Sequence, residues 1–185
     1  SIRVQNSLTT TNAFALTNGA LSIDVVFPVP VGTSHLVGSL VYTTQATNVL
    51  TYKLTNTGIG SDYWDKAIIN LPSGFTAILG APTSTHIIAD ATYIKIGGVS
   101  SITLYYQIPD FGPLATGTVD VVTFTAVHNL TNQTTRTLSA RLYNAGAPGG
   151  IAPTTTAGQH NDLRFIKPPR GYISPASIDG QSTTN

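Results

Sequence analysis

Residues 50–75, LTYKLTNTGIGSDYWDKAIINLPSGF, contain two runs of alternating apolar and polar side chains on either side of a polar loop. In the first run, Leu50, Tyr52 and Leu54 fall on one side of the chain, and threonines and a lysine fall on the other. Alternation with a period of two residues is the pattern of a half-buried β-strand. The second run, AIINL, stops at a Pro-Ser-Gly triplet, which is typical of a turn. We therefore expect two strands joined by this polar loop, which is either a site of chemistry or the corner of a β-sandwich.

The same alternation recurs along most of the chain, with turn residues between the runs. Further runs are ALSIDVVF, HLVGSLVY, FTAIL, SITLYYQI, VDVVTFTAVH and RTLSARLY, and LRFIK is a candidate for one more strand. The short runs HIIAD and YIKIG have the length of edge strands. About nine regularly spaced strands predict an all-β fold, an antiparallel two-sheet β-sandwich of Ig-like or jelly-roll type. Inward positions are predicted at Ile102, Leu104, Tyr106, Ile108, Leu138, Ala140 and Leu142.

The composition agrees with this fold and excludes several classes of function. All 8 acidic residues are Asp, and only 9% of the 185 residues are charged, whereas helix surfaces rely on Glu, Lys and Arg. The absence of Cys excludes disulfides, Cys-ligated metals and thiol catalysis. The net charge of +1 comes without a basic cluster, so we expect no nucleic-acid partner. No apolar run is long enough for a membrane span.

Three segments differ in composition. We expect residues 1–16 to form an N-terminal arm, residues 17–167 the β-sandwich, and residues 168–185 an extended C-terminal tail. Prolines in the tail each remove a backbone donor, which makes the tail a poor strand. The Gly/Pro/Ala/Thr-rich loop at residues 144–159 is long for a compact domain, which predicts a functional or partner-held loop.

The sequence offers little for catalysis. The four histidines, His35, His86, His128 and His160, are not accompanied by a Gly-x-Ser-x-Gly elbow. The dispersed Asp residues single out no pair of carboxylates for glycoside hydrolysis. We therefore expect that the protein is not an enzyme and needs no cofactor.

Asp62 and Asp65 flank Tyr63-Trp64 in the polar loop and are the candidate metal ligands. Calcium takes carboxylate and backbone oxygens from loops of this kind. Two acids fall short of a full cage, and the alternative is that both residues serve as turn and capping residues. Trp64 is expected to fill the core or an interface, and the alternative is that Trp64 and Tyr63 bind a sugar.

Several features point to an exported protein. Overlapping glycosylation triplets begin at Asn129 and Asn132, between two predicted strands where a glycan would be exposed. So low a charge is unusual for cytosolic proteins, which depend on charge for solubility. Met is absent even at position 1, which predicts that the chain has been processed; the alternative to cleavage on export is removal of an initiator Met before the small residue Ser1. We expect an extracellular location at the cell surface, with possible glycans.

The Asn-Thr-Gly loop, followed by a strand that ends in Pro-Ser-Gly-Phe, resembles the Ig-like modules of prokaryotic surface proteins over residues 49–79. The whole chain resembles secreted archaeal filament subunits in architecture and composition. That group contains TasA-like bundling pilins, thread subunits and cannula proteins. The resemblance implies a single β-sandwich that passes a terminal strand into the next subunit of a cell-surface or biofilm filament.

We therefore expect a structural subunit of an extracellular filament, which assembles head to tail from identical copies by donor-strand complementation. The predicted donor is the N-terminal arm, whose apolar residues Ile2, Val4, Leu8 and Phe14 would fill pockets on the neighbour. A Thr/Asn-rich spacer follows and could cross between subunits. The alternatives are a viral or phage coat or decoration protein, and a carbohydrate-binding adhesion module.

Overall fold

The computed structural model consists of β-strands and connecting loops in the part of the chain that it describes, and contains no α-helix there. The predicted all-β fold is confirmed. The same residues accordingly include no helix able to cross a membrane. The structure describes residues 3–5, 11–13, 28–38, 41–43, 47–59, 62–87, 93–106 and 113–166.

Sixteen strands are found in these residues. Their order along the chain is β1 (Arg3–Gln5), β2 (Thr11–Ala13), β3 (Gly32–Val37), β4 (Val41–Thr43), β5 (Thr47–Asn56), β6 (Tyr63–Trp64), β7 (Lys66–Asn70), β8 (Phe75–Ser84), β9 (Ile94–Gly97), β10 (Ser101–Tyr105), β11 (Leu114–Ala115), β12 (Val119–His128), β13 (Thr134–Thr137), β14 (Ser139–Tyr143), β15 (Thr154–Thr155) and β16 (Asp162–Ile166).

The larger sheet has five strands in the order β15-β3-β5-β12-β8. Its central strands β5 and β12 are antiparallel and place Leu50 opposite Phe124 and Tyr52 opposite Val122. These four side chains are buried, while the residues between them lie on the other face. The predicted alternation is therefore confirmed, and it determines which face of this sheet is turned toward the core.

The second large sheet has four antiparallel strands in the order β14-β7-β10-β9. Its inward residues include Ile69 on β7, Ile102 and Leu104 on β10, and Leu142 on β14, all fully buried. They belong to one hydrophobic cluster with the inward side of the five-stranded sheet. Two sheets that share their apolar faces form a β-sandwich, as predicted. The YIKIG run becomes β9, at the edge of its sheet as expected.

A smaller sheet, β13-β16-β4, corrects two of the predicted strands. RTLSARLY was expected to be one strand, but β13 pairs with β16 whereas β14 pairs with β7 in the four-stranded sheet. The chain changes sheets at Leu138, whose N–H donates to the carbonyl of Asn161 at 2.9 Å. Leu138 and Ala140 are still buried, because the alternation continues through the change of sheet. HLVGSLVY is likewise divided between β3 and β4.

Of the other predicted strands, some are found in the structure and some are not. LRFIK is confirmed as β16, and β8 continues past the end of FTAIL to Ser84. In HIIAD the described residues His86 and Ile87 are not in a strand. ALSIDVVF, Ile108 and residues 168–185 lie outside the described residues, so the boundaries of the three predicted segments stay predictions.

The N-terminal arm contains a short hairpin. β1 and β2 pair antiparallel, with Arg3 opposite Ala13 and Gln5 opposite Thr11. Among the described strands, neither pairs with any strand of the sandwich. The structure thus differs from the extended arm predicted over residues 1–16, because this register folds the arm back on itself.

Candidate functional site

An open pocket of about 870 Å³ lies at one end of the four-stranded sheet, on its outer face. Its walls combine aromatic rings with one acidic and one basic side chain and two prolines. The described residues that line it are Tyr63, Asp65, Lys66, Tyr105, Tyr106, Pro113, Tyr143, Asn144, Ala145 and Pro148.

Three of these residues form a row across neighbouring strands. Lys66 on β7 stands opposite Tyr143 on β14 and opposite Tyr105 on β10. All three point away from the core, because Ala67, the residue after Lys66, is buried beneath the same sheet. The Lys66 ammonium lies 4.1 Å from the centre of the Tyr143 ring. The row is thus a cation placed between two half-buried tyrosines, and the contact with Tyr143 is a cation–π interaction.

The first half of the long loop forms one wall of the pocket. The side-chain amide of Asn144 is buried and donates to the carbonyl oxygens of Pro28 at 2.7 Å and Tyr63 at 3.1 Å. Its Oδ1 accepts from the N–H of Gly146 at 2.9 Å. Residues 144–159 were predicted to be a functional or partner-held loop, and the first part of this loop is fixed by hydrogen bonds within its own chain.

Gly150 packs directly against the Tyr143 ring. Its φ of 74° lies in the left-handed region that favours glycine, and a Cβ atom there would lie 2.5 Å from Cζ of Tyr143. The following residue, Ile151, exchanges two backbone hydrogen bonds with Leu142, at 2.8 and 2.9 Å. The loop thereby packs against the ring of Tyr143 through Gly150 and fixes its position.

Tyr106 contributes to the base of the pocket and extends into the core. Its hydroxyl donates to Oδ2 of Asp120 at 2.9 Å, and both residues are buried. Burial, together with the neighbouring Asp120 carboxylate, raises the pKa of Tyr106 well above its usual value. The phenol therefore remains a hydrogen-bond donor at any physiological pH.

Asp62 and Asp65 do not form a shared metal site. Residues 62–65 alternate, so Asp62 and Trp64 are buried, whereas Tyr63 and Asp65 line the pocket. Oδ2 of Asp62 accepts from the N–H of Val31 at 3.2 Å, which ties the loop to the segment before β3. The described residues contain no group of three or more potential ligand side chains. The weak prediction of a joint calcium site is therefore corrected: one carboxylate faces inward and the other outward.

Trp64 fills the core, as predicted. It is fully buried, and a Cβ atom on Gly32 would collide with the indole ring. The absence of a side chain at Gly32 is what makes room for the ring. Because Trp64 is inaccessible, the alternative in which it stacks on a sugar is wrong, although Tyr63 is half-buried and lines the pocket.

The other candidate residues lie elsewhere. Asn129 and Asn132 are exposed on the connection between β12 and β13, which is where a glycan was expected, and glycosylation itself stays a prediction. Ile2, Leu8 and Phe14 lie outside the described residues, as does the side chain of Val4 on β1.

Sequence reasoning missed the pocket as a site. Tyr105, Lys66 and Tyr143 come from three separate runs, and only the cross-strand register brings them together. A weak signal was present, because each of them occupies an outward position at the end of its strand. Nothing in the sequence fixed which strands are neighbours.

The sequence matches no protein-family model and no curated protein. Solved structures with a similar fold include BcpA, the major pilin subunit of Bacillus cereus, at 14% identity and a TM-score of 0.47, over 75% of this chain and 40% of that chain. They also include a cohesin module from a Clostridium perfringens family 33 glycoside hydrolase, at 13% identity and a TM-score of 0.43, over 75% and 99%.

A third similar structure is AvmM, which catalyses macrocyclization in alchivemycin A biosynthesis, at 14% identity and a TM-score of 0.44, over 75% of this chain and 90% of that one. The chain thus spans well under half of the pilin that it resembles. Similarity at this level concerns the fold, and it carries no activity, ligand or partner over to this chain.

Proposed function

We propose that this chain is a non-catalytic structural subunit of an extracellular filament, assembled head to tail from identical copies. The observation that carries the proposal is the edge strand β8. Its ten residues, FTAILGAPTS, include no charged side chain, and among the described strands β8 pairs only with β12. An uncharged edge is a template for a further strand, and soluble monomers usually protect edges with charges, prolines or bulges. β8 has Pro82 and an irregular register after Leu79, so the proposed acceptor is its first part, residues 75–79.

One row on the outer face beside this edge contains exposed apolar residues. Thr125 on β12 has Val49 of β5 on one side and Leu79 of β8 on the other. Val49 is 64% exposed and Leu79 is 49% exposed. An apolar row that leads to an uncharged edge suits an incoming strand whose alternate side chains are apolar.

The N-terminal arm is the proposed donor. Within the described residues, β1 and β2 pair only with each other, so the arm is not part of the sandwich. An isolated two-stranded hairpin is marginal in water. Opening it would release backbone donors and acceptors that a neighbour's β8 could satisfy.

The energies favour this exchange. Burying the three apolar residues Ile2, Val4 and Leu8 would contribute about 1.5–3 kcal/mol each. Each ladder hydrogen bond adds about 0.5–1.5 kcal/mol. The exchange gives up the pairing of two three-residue strands, so a longer ladder on β8 would favour donation to a neighbour.

The non-catalytic part of the proposal is supported by the buried acid Asp120. Both of its carboxylate oxygens accept hydrogen bonds, from Ser84, Thr85, His86 and Tyr106. A carboxylate saturated in this way ties strands together and is not placed to transfer protons to a substrate. We propose further that the assembly needs no metal or other cofactor.

Negative-stain electron microscopy of the purified full chain tests the proposal. Long fibres that persist in a metal chelator are expected. Closed shells would favour a viral coat or decoration protein. Monomers that bind a glycan array, with binding lost in Tyr143→Ala, would favour an adhesion module. The archaeal and biofilm setting rests on the resemblance alone and is part of the proposal.

A further inference from the structure

The pocket chemistry suits an extended, proline-rich peptide. Tyr63, Tyr105 and Tyr143 present half-buried rings, and Pro113 and Pro148 add rigid apolar walls. Grooves lined by aromatic rings bind polyproline II segments, because these peptides are already extended and lose little conformational entropy on binding. The rings of Tyr143 and Tyr105 already carry Lys66 at 4.1 Å and Lys95 at 5.4 Å, so a cation on the peptide needs another partner in the pocket.

The pocket also offers one carboxylate. Asp65 lines it, and burial raises the pKa of this side chain. Lys66 is already engaged with the Tyr143 ring at 4.1 Å. An arriving guanidinium would therefore find Asp65 available and would stabilise its ionised form.

The chain itself contains a segment of this chemistry. Residues 167–173 read KPPRGYI and directly follow β16. They combine a proline pair with Arg170 and a tyrosine. We propose that residues 167–173 of one copy dock in the tyrosine-lined pocket of the next copy, with Arg170 directed at Asp65.

β16 ends far from the pocket, which supports docking of residues 167–173 in the pocket of another copy. Tyr106, at the pocket, is bonded to Asp120, which lies near the start of β12. The ring of Phe165, next to the last residue of β16, lies 4.5 Å from that of His128 at the other end of β12. At about 3.3 Å per residue, Asp120 and His128 are roughly 26 Å apart along this strand.

The chain therefore leaves the described sandwich at the end opposite the pocket. A segment that leaves one end and a receptor at the other end produce a head-to-tail contact, which does not close on itself. To occupy its own pocket, the segment would have to double back along the whole sandwich. The inference rests on the proposed filament, in which the next copy stands where the segment exits.

Disulfide cross-linking tests this directly, because the chain has no Cys. The full chain carries Ala145→Cys at the exposed rim of the pocket and Ser174→Cys immediately after the docking segment. Mild oxidation is followed by non-reducing electrophoresis. A ladder of dimers, trimers and higher species is the expected result. The control replaces the rim position by Thr131→Cys, an exposed site after the far end of β12, where the segment of the same copy leaves the sandwich. It should give an internal disulfide at most, and no ladder.

The outcomes separate the two proposals. No cross-link, a monomer closed by an internal disulfide, or an equal ladder in the control would each overturn the docking inference. Fibres of the wild-type chain by electron microscopy without a ladder would overturn the docking alone and leave the filament standing. Absence of both fibres and ladder would remove both.

A second variant tests the chemistry of the contact. Adding Asp65→Asn to the Ala145→Cys, Ser174→Cys chain should slow ladder formation at least about threefold, since a charge-assisted contact is lost. An unchanged rate would show that Arg170 does not meet Asp65 and would overturn that part of the inference. Thermal unfolding of the same variant confirms that the sandwich is intact.

Discussion

The hydroxyl of Tyr106 donates a 2.9 Å hydrogen bond to Oδ2 of Asp120, and this bond joins the two sheets of the sandwich through the core. Tyr106 follows β10 of the four-stranded sheet, and Asp120 lies on β12 of the five-stranded sheet. Oδ1 of Asp120 accepts from Ser84 Oγ at 2.7 Å and from the N–H groups of Thr85 and His86 at 3.1 and 3.2 Å. The carboxylate thus fastens the end of β8 as well.

Tyr106→Phe should destabilise the sandwich. The change removes the Tyr106 hydroxyl and leaves Oδ2 of the buried Asp120 without this donor. The free energy of unfolding should therefore fall by about 1–3 kcal/mol. Guanidinium unfolding followed through the single, buried Trp64 measures the loss. Tyr105→Phe, at the neighbouring half-buried tyrosine, is the matched control and should stay within about 0.5 kcal/mol. Equal effects of the two substitutions would contradict the inter-sheet role.

The sequence predicts the core of this fold well. In β5 and β12 one face is buried and the other is not. The alternation of Leu50, Tyr52 and Leu54 with polar residues therefore predicts which side chains are buried. The change of sheet at Leu138 could not be predicted, because alternation continues through it. A local sequence pattern predicts which face of a strand a side chain lies on. It does not predict which other strand pairs with that strand.

The candidate site could be predicted even less than the fold, because it also depends on which strands are neighbours. Each member of the Tyr143, Lys66 and Tyr105 row looks like an ordinary outward residue of its own strand. Asp120 likewise looks like one more polar residue at the start of a run. Its partners Ser84, at the end of β8, and Tyr106, directly after β10, are distant from it in sequence. A site built from residues on neighbouring strands can be predicted only when the pairing register of those strands is known.

Gly150→Ala should loosen the wall of the pocket. The new Cβ atom would lie 2.5 Å from Tyr143 Cζ, and the φ of 74° is unfavourable for any residue with a side chain. The backbone strain alone costs about 1–2 kcal/mol. Gly149→Ala is the control, because nothing lies within 4 Å of its added Cβ. Unfolding free energies should fall for the first variant and stay nearly unchanged for the second.

The stability of the protein should fall in mild acid through His35. Burial lowers the pKa of His35 below 6.5, and the nearby charges of Lys53 and His160 lower it further. Below about pH 6.5 the unfolded chain then binds more protons than the folded one, so the free energy of unfolding decreases as the pH falls. Unfolding curves between pH 7.5 and 5, chosen to bracket the usual His pKa of about 6.5, measure this slope.

His35→Gln should flatten that slope, because the residue that titrates is gone. Lys53→Met should keep most of it, since burial and not Lys53 is the larger cause of the lowered pKa. The Nδ1 atom of His35 lies 2.9 Å from Oγ1 of Thr156, a hydroxyl that can donate to the neutral ring or accept from the protonated one, so this contact is compatible with both forms. A slope unchanged in His35→Gln would show that another group is responsible.

Protein isolated from its native source should carry a glycan at Asn129 or Asn132. Both are exposed on the connection between β12 and β13. The two triplets are so close that a glycan on one hinders the other, and one site should dominate. Intact-mass measurement would detect the added mass, and Asn129→Gln and Asn132→Gln variants would identify the site. A mass equal to that of the bare polypeptide would contradict this prediction.

Deletion of residues 1–13 should abolish fibres and leave a folded monomer. The hairpin of β1 and β2 pairs with no other described strand, so its removal should change the unfolding midpoint little while removing the proposed donor. Deletion of residues 174–185 is the matched control. It retains the proposed docking segment, residues 167–173, and should still permit fibres. Electron microscopy and size-exclusion chromatography of both variants measure assembly. If the C-terminal deletion abolished fibres and the N-terminal one did not, the donor would be the tail, and β8 would be receiving a strand that is poor in backbone donors because of its prolines.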